Sequence, residues 1–419
     1  MKTTNHEVKH YDFTKPPRKG SVILFPVVWA ISGIVMKWHK AKIEKINMDG
    51  LKPPYLLLCT HHSFYDLKLM QTAAFPHRVN PVAAIDAFVL HNRFIMRGLG
   101  CIAKRKFLPM DLALIRNMKH ALSKNKQICV LYPEARFSLD GKRSYIPQSV
   151  GKLCKTLGVP VVTLTMHGCY TANPQFSQKR YASVPLKAEM KQIVTKDELK
   201  TISVEEINER MITAMQYDDY KYQKENNIRI KDKNRAKGLE SLLYQCPHCY
   251  TEHAMTTNGS TLRCNHCGKA YEYTELGEMR ALDGETEFSH IPDWFDWQRE
   301  NVRMEVESGK YYFEDDVDVF TMPNGKRFYP QGKGKLVHSL DGFNLNCSAY
   351  GKELSEHWRG EDTYGLHIEY NFRKKADVID ISKIDDSYWL YPTKKNVITK
   401  LSLATEEIFK FKTKGEILR

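Results

Sequence analysis

Four short apolar runs, separated by longer mixed segments, organise the first half of the chain: Tyr55 to Thr60, Val79 to Ala84, Gln127 to Tyr132 and Val159 to Thr165. Each has the length of a strand and ends in polar, glycine or proline punctuation. Between them, Leu112 to Lys124 and Val150 to Leu157 carry apolar residues at helical spacing. Strands alternating with helices predict a layered α/β domain, a mixed sheet flanked by helices.

The 419 residues exceed what one hydrophobic core usually organises, so further domains are expected. Between Asp218 and Glu240 the segment KYQKENNIRIKDKNRAKG has little to bury and reads as a solvated helix or linker. After a cysteine cluster the remainder reads as mainly β, with turn signals at Pro323 to Gly325 and Asp341 to Gly342. Leu366, Ile368, Tyr370 and Phe372 alternate on one face of a strand, and a helix starting near Pro292 and Asp293 carries Trp294 and Trp297. A small barrel or sandwich that binds a partner or lipid is the expectation for this tail. The predicted divisions are an N-terminal helical segment (1–45), the α/β domain (46–217), a charged linker (218–240), a ribbon around the cysteines (241–275) and a mainly β domain (276–419).

A formal charge of +14 makes the surface attractive to polyanions, either nucleic acid or an anionic lipid layer. Near the N-terminus an apolar run from Val22 to Met36 lies between Arg18 and Lys19 on one side and Lys37, Lys40 and Lys42 on the other. It falls short of the roughly 20 residues a spanning helix needs, contains Pro26, and is followed by no small-residue cleavage site. An interfacially embedded helix is expected; a buried core helix is the alternative.

The segment THHSFYD, Thr60 to Asp66, comes directly after the first predicted strand, where an α/β fold places functional loops. A carboxylate at Asp66 that accepts from one imidazole nitrogen of His61 leaves the other nitrogen to take a proton from a substrate hydroxyl. Downstream lie LGCIAKR (Leu99 to Arg105), LYPEARFS (Leu131 to Ser138) and LGVPVVTLTMHG (Leu157 to Gly168). In this order the four segments resemble the blocks of the glycerol-3-phosphate and 1-acylglycerol-3-phosphate acyltransferase family, over roughly residues 40 to 190.

The first block matches in His61, Ser63 and Asp66, with Thr60 where the family has Asn. The resemblance implies His61 as general base oriented by Asp66, attack of the acceptor hydroxyl on an acyl thioester or similar donor, and no covalent enzyme intermediate. It also implies substrate binding by Ser63, by Lys104 or Arg105, and by Glu134 with Arg136, whose guanidinium suits an acceptor phosphate. The third block reads E-A-R-F-S where the family has E-G-T-R-S, so Phe137 takes the arginine's place when the serines align. A plain salt bridge between Arg136 and Glu134 is the alternative. For the whole chain the resemblance implies a peripheral or monotopic enzyme at the cytosolic face of a membrane, with acyl-CoA or acyl carrier protein as donor and co-substrate, the lipid surface as partner, and no organic cofactor.

Cys246 and Cys249 form one Cys-x2-Cys knuckle, Cys264 and Cys267 a second, at the spacing of a zinc ribbon. Four thiolates close a tetrahedral site, so one structural zinc ion is expected. Arg263 and Lys269 are the only basic residues from Gln245 to Tyr273, which argues against nucleic acid as the ribbon's partner. Two rivals stand beside the main reading: an acyltransferase of the same fold with another lysolipid or an amine as acceptor, and an inactive zinc-ribbon scaffold.

Overall fold

A computed structural model describes residues 8–108, 112–177 and 179–413. The chain opens with α1 (Leu24–Trp38) and β1 (Lys42–Ile46). It continues through β2 (Leu56–Cys59), α2 (Tyr65–Ala74), β3 (Val79–Ala84), α3 (Ile85–Leu90), α4 (Arg93–Gly98) and β4 (Ile102–Lys104). Next come α5 (Leu112–Ser123), β5 (Ile128–Leu131), α6 (Ser149–Leu157), β6 (Val161–His167), α7 (Cys169–Ala172) and β7 (Lys187–Val194). The four predicted strands are β2, β3, β5 and β6.

These seven strands form one mixed sheet in the order β1-β7-β6-β2-β5-β3-β4. All neighbours run parallel except β6 and β7. Because side chains alternate across a strand, Leu57 and Cys59 enter the core that α2 covers with Leu69, Met70 and Ala73. Leu56 and Leu58 enter the opposite core, closed by Leu114 and Met118 of α5 and Leu153 of α6. The loops leaving the carboxyl ends of β2, β4, β5 and β6 therefore share one edge of the sheet, where such folds place ligands.

Helix α1 buries Phe25, Ser32 and Met36 and turns a stripe of Ile23, Val27, Ile31, Ile34 and Trp38 to the outside. This is neither an all-round buried core helix nor a spanning one: among the described residues no helix is long and apolar enough to cross a membrane.

After α8 (Val204–Ala214) come α9 (Asp219–Glu225) and α10 (Leu239–Leu242). Here the structure corrects the solvated-linker expectation. Asp219, Tyr220 and Gln223 are buried, as are Ile228, Ile230, Ala236 and Leu239, so enough residues of the charged stretch point inward to pack it down. Strands β8 (Met255–Asn258), β9 (Thr261–Cys264), β10 (Ala270–Tyr273) and β11 (Met279–Ala281) make a small antiparallel sheet around the cysteines.

Helix α11 (Ile291–Glu307), with proline in its first turn, leads into β12 (Phe313–Thr321), β13 (Tyr329–Ser339), β14 (Gly342–Ala349) and β15 (Lys352–Arg359). The chain then forms β16 (His367–Phe372), β17 (Ala376–Ser382), β18 (Ser387–Pro392) and α12 (Ile398–Thr413). These strands form a single antiparallel sheet, β15-β14-β13-β12-β18-β17-β16, in place of the expected barrel or sandwich. Its two faces are closed differently. Tyr388 and Leu390 of β18 point into a core shared with Trp294 of α11 and Leu401 of α12, whereas Trp389 points the other way, to a cluster that includes Ile85 of α3. Two helices and the first domain thus do the covering that a second sheet would otherwise do.

Candidate active site

Past Cys59 the chain turns through Thr60 to Phe64 into α2, whose first turn carries Asp66. His61 Nδ1 lies 3.0 Å from Asp66 Oδ2. The same oxygen accepts the backbone N–H groups of His62 at 2.5 Å and Ser63 at 2.9 Å. Held by two backbone donors, the carboxylate fixes the Nδ1–H tautomer and leaves Nε2 as the proton acceptor. Asp66 is fully buried while the His61 side chain keeps 23% of its surface open, so the base is reachable and its orienting group is not. The rings of Tyr132 and Phe137 flank the imidazole at 4.3 and 4.2 Å between centroids, and Phe64 packs against Phe137 at 5.4 Å.

The His61 peptide is gripped on both sides. Its N–H donates to Glu134 Oε1 at 3.0 Å, and its carbonyl accepts from the Ser138 N–H at 2.8 Å. The other Glu134 oxygen accepts from the Ser144 N–H at 2.6 Å and the Tyr217 hydroxyl at 3.2 Å. Burial pushes the Glu134 carboxyl up to about 7, against the pull of these donors and of Arg143.

Beneath the loop, His62 stacks on Tyr217 at 3.9 Å between centroids, and burial pushes its imidazole down to about 3, so it is neutral. Asp219 accepts from the N–H groups of Gly168 at 3.0 Å, Tyr170 at 2.8 Å and Thr171 at 3.3 Å. Burial likewise pushes Asp219 up to about 7. Gly168 sits at φ +81°, where a Cβ would meet the Pro185 carbonyl at 2.6 Å, so this turn admits only glycine without displacement. Tyr217 and Asp219 were not among the residues expected at the site. The available signal was slight, the tyrosines Tyr217, Tyr220 and Tyr222 set within a stretch dominated by charge.

Residues 39–167 match the family model described as Acyltransferase. This region is an acyltransferase domain. A solved structure, the 1-acyl-sn-glycerophosphate (LPA) acyltransferase PlsC from Thermotoga maritima, is similar over 46% of this chain and 77% of that one, at 16% identity and a TM-score of 0.35. No curated protein matches the chain.

Within the acyltransferase domain the structure brings His61, Ser63, Asp66 and Glu134 together and turns Lys104, Arg105 and Arg136 to other partners. Ser63 is buried, its hydroxyl donating to the Cys169 carbonyl at 2.9 Å and accepting from the Tyr65 N–H at 3.2 Å, so it staples the loop. Lys104 donates to the Leu108 carbonyl at 2.8 Å. Arg105 is buried against the C-terminal sheet. Its Nε meets the Ile384 carbonyl, Nη1 the Met322 carbonyl and Ser387 Oγ, and Nη2 the Pro323 and Asp385 carbonyls, at 2.6 to 3.2 Å. A guanidinium has five N–H donors, and all five are engaged. Arg136 pairs with Glu406 at 2.5 Å and Ser402 at 2.9 Å, both on α12, and not with Glu134. The two guanidiniums expected to bind the acceptor are thus engaged within the chain, Arg105 by the loops flanking β12 and β18 through all five donors and Arg136 by Glu406 and Ser402 of α12.

The four cysteine thiols lie apart from His61, all within 4.8 Å of one another. Cys246 and Cys267 are 3.8 Å apart and Cys249 and Cys264 3.7 Å. A tetrahedral ion with metal–sulfur bonds of about 2.3 Å has ligand–ligand edges of about 3.8 Å, so the cluster fits a metal ion. His248 lies beside Glu287 instead, at 3.3 Å.

Proposed function

We propose that the chain transfers a fatty acyl group from an activated donor, acyl-CoA or acyl carrier protein, to the hydroxyl of a glycerophospholipid precursor such as 1-acylglycerol-3-phosphate. The observation that carries this reading is the accessible imidazole of His61 locked to a buried Asp66, within an acyltransferase domain. Nε2 takes the proton of the acceptor hydroxyl as its oxygen attacks the thioester carbonyl. The tetrahedral adduct collapses with cleavage of the carbon–sulfur bond, and the imidazolium returns the proton to the departing thiolate. The rings of Tyr132, Phe137 and Phe64 around the imidazole suit a lipid substrate.

In this reading Glu134 positions the His61 loop and does not touch substrate. The outward stripe of α1, with Ile23 77% and Trp38 69% exposed, supports peripheral attachment to a lipid surface on the cytosolic side. The cysteine cluster holds one structural zinc ion, since four thiolates leave no open position for chemistry. A second reading keeps the reaction and changes the acceptor; the engagement of Arg105 by the loops of the C-terminal sheet and of Arg136 by α12 favours it, because both guanidiniums are buried on partners within the chain.

The test is transfer of a labelled acyl group to 1-acylglycerol-3-phosphate in lipid vesicles, beside a panel of uncharged and amine acceptors. His61→Ala should lose roughly two to four orders of magnitude in rate with its fold intact. Full activity in that variant would remove His61 as the base, and equal use of a phosphate-free acceptor would establish the second reading.

A further inference from the structure

The loop between β12 and β13 and the turn between β16 and β17 bring a row of cations to one corner of the C-terminal sheet. Arg373 lies over Phe328 at 4.7 Å, Lys375 over Tyr391 at 4.5 Å and Phe320 at 4.7 Å, and Arg327 over Tyr329 at 4.6 Å. Lys326 lines a cleft of about 630 Å³ whose opposite wall, His91 to Arg93, belongs to the acyltransferase domain. None of Arg93, Lys326, Arg327, Arg373 and Lys375 makes an ion pair with a described residue. The loop is firmly placed, because Arg105 holds the Met322 and Pro323 carbonyls and Gly325 sits against Ile85 of α3, where a Cβ would come within 3.0 Å.

This cationic corner continues into exposed apolar surface. Phe94 and Ile95 come directly after Arg93 on α4, with 68% and 48% of their surface open. The carbonyl of Gly98, at the end of α4, accepts the Ser21 N–H at 2.9 Å, which brings the start of α1 alongside. A line of ring contacts runs from this cleft to the catalytic histidine, with His91 6.2 Å from Phe64, Phe64 5.4 Å from Phe137 and Phe137 4.2 Å from His61 between centroids. An apolar centre rimmed by unpaired cations is the composition that partitions into the interface of an anionic bilayer.

We propose that Lys326, Arg327, Arg373 and Lys375 form a headgroup-reading rim through which the C-terminal domain makes docking of α1 and α4 selective for anionic bilayers. The inference rests on the membrane-surface reading above and adds to it which lipid charge is sought and which domain seeks it. Single-stranded nucleic acid is the poorer occupant, because it needs bare aromatic faces for stacking and here the rings lie under their own cations.

The experiment is sedimentation of the full chain with phosphatidylcholine vesicles and with vesicles in which about a third of the lipid is phosphatidylserine. Wild type should bind the anionic vesicles roughly a hundredfold more tightly, a preference that high salt suppresses. Lys326→Glu, Arg327→Glu, Arg373→Glu and Lys375→Glu together should abolish that preference and leave binding to phosphatidylcholine unchanged. The milder pair Lys326→Gln and Arg327→Gln, at two exposed loop positions, should remove about half of the preference on a logarithmic scale. Ile31→Asp with Ile34→Asp should weaken binding to both vesicle types. An unchanged preference in the fourfold variant overturns the rim, as does displacement of the protein from anionic vesicles by equimolar single-stranded RNA. Since no acyl transfer is read, a failed acyltransferase assay with the vesicle results intact would fall on the catalytic proposal alone.

Discussion

Replacing Arg105 with alanine removes a guanidinium that joins two parts of the chain more than 200 residues apart in sequence. Four of its partners are backbone carbonyls around Met322 and Asp385, so truncation leaves those acceptors without their donors in a buried junction. Hydrogen bonds to a charged group contribute about 1.5 to 3 kcal/mol each, and breaking a buried charged cluster typically costs about 3 to 5 kcal/mol in all. Five bonds do not sum independently, because the acceptors relax together and water enters; a loss of about 4 kcal/mol is the reasoned figure. Arg105→Lys should fall between, since an ammonium offers three donors where five are matched. Urea unfolding monitored by tryptophan fluorescence, which Trp389 of the junction and Trp358 of the sheet report, reads the loss. Limited proteolysis should cut more readily on either side of β18. An acceptor-binding Arg105 would behave otherwise: Arg105→Ala would unfold like wild type and raise KM for a phosphate-bearing acceptor only. That result would refute the assignment of this guanidinium to the domain junction.

Removing the metal from the cysteine cluster with a chelator, or Cys264→Ser, should loosen the ribbon, and the ribbon shares its core with α11 and the C-terminal sheet. Loss of cooperative thermal unfolding in calorimetry should therefore extend beyond residues 241–275, whereas an unaltered transition would argue that the cluster binds no ion. Glu134 bears on pH. Its folded pKa, raised to about 7 by burial, exceeds the unfolded value near 4.5, so the native state holds this proton longer and the contribution to stability declines as pH rises between those values. Glu134→Gln removes a term of about 3 kcal/mol, and its stability should fall less between pH 5 and pH 7.5 than that of wild type in paired denaturation curves. Equal slopes would show that Glu134 is ionised throughout.

What could be read from the sequence was what the chain settles locally. His61 and Asp66 meet because only the five residues 60–64 separate a strand end from a helix start, and the four cysteines because each pair is a single turn. The strands β2 and β5 declared themselves through burial on both faces, which leaves an unbroken apolar run, and β3 and β6 through runs broken only by Asn80 and Pro81 and by two threonines. The engagements of Arg105 and Arg136 were illegible for the opposite reason. Their partners Met322, Asp385, Ser402 and Glu406 lie hundreds of residues onward, and no local pattern says which of two anionic or carbonyl-rich surfaces will claim a guanidinium. Tyr217 and Asp219 were hidden by the charge of their neighbours: composition averages over a segment, while packing acts on the few side chains that face inward.

One apolar cluster runs from Leu139 and Tyr170 through Tyr220, Leu262 and Trp294 to Ile408. Its members come from the acyltransferase domain, the ribbon and the closing helix, so a recombination breakpoint between positions 139 and 408 would part residues that pack on each other. Ribbon and β sheet are in this sense not detachable accessories: cutting either away would lay bare side chains on which the half of the molecule that holds His61 is packed.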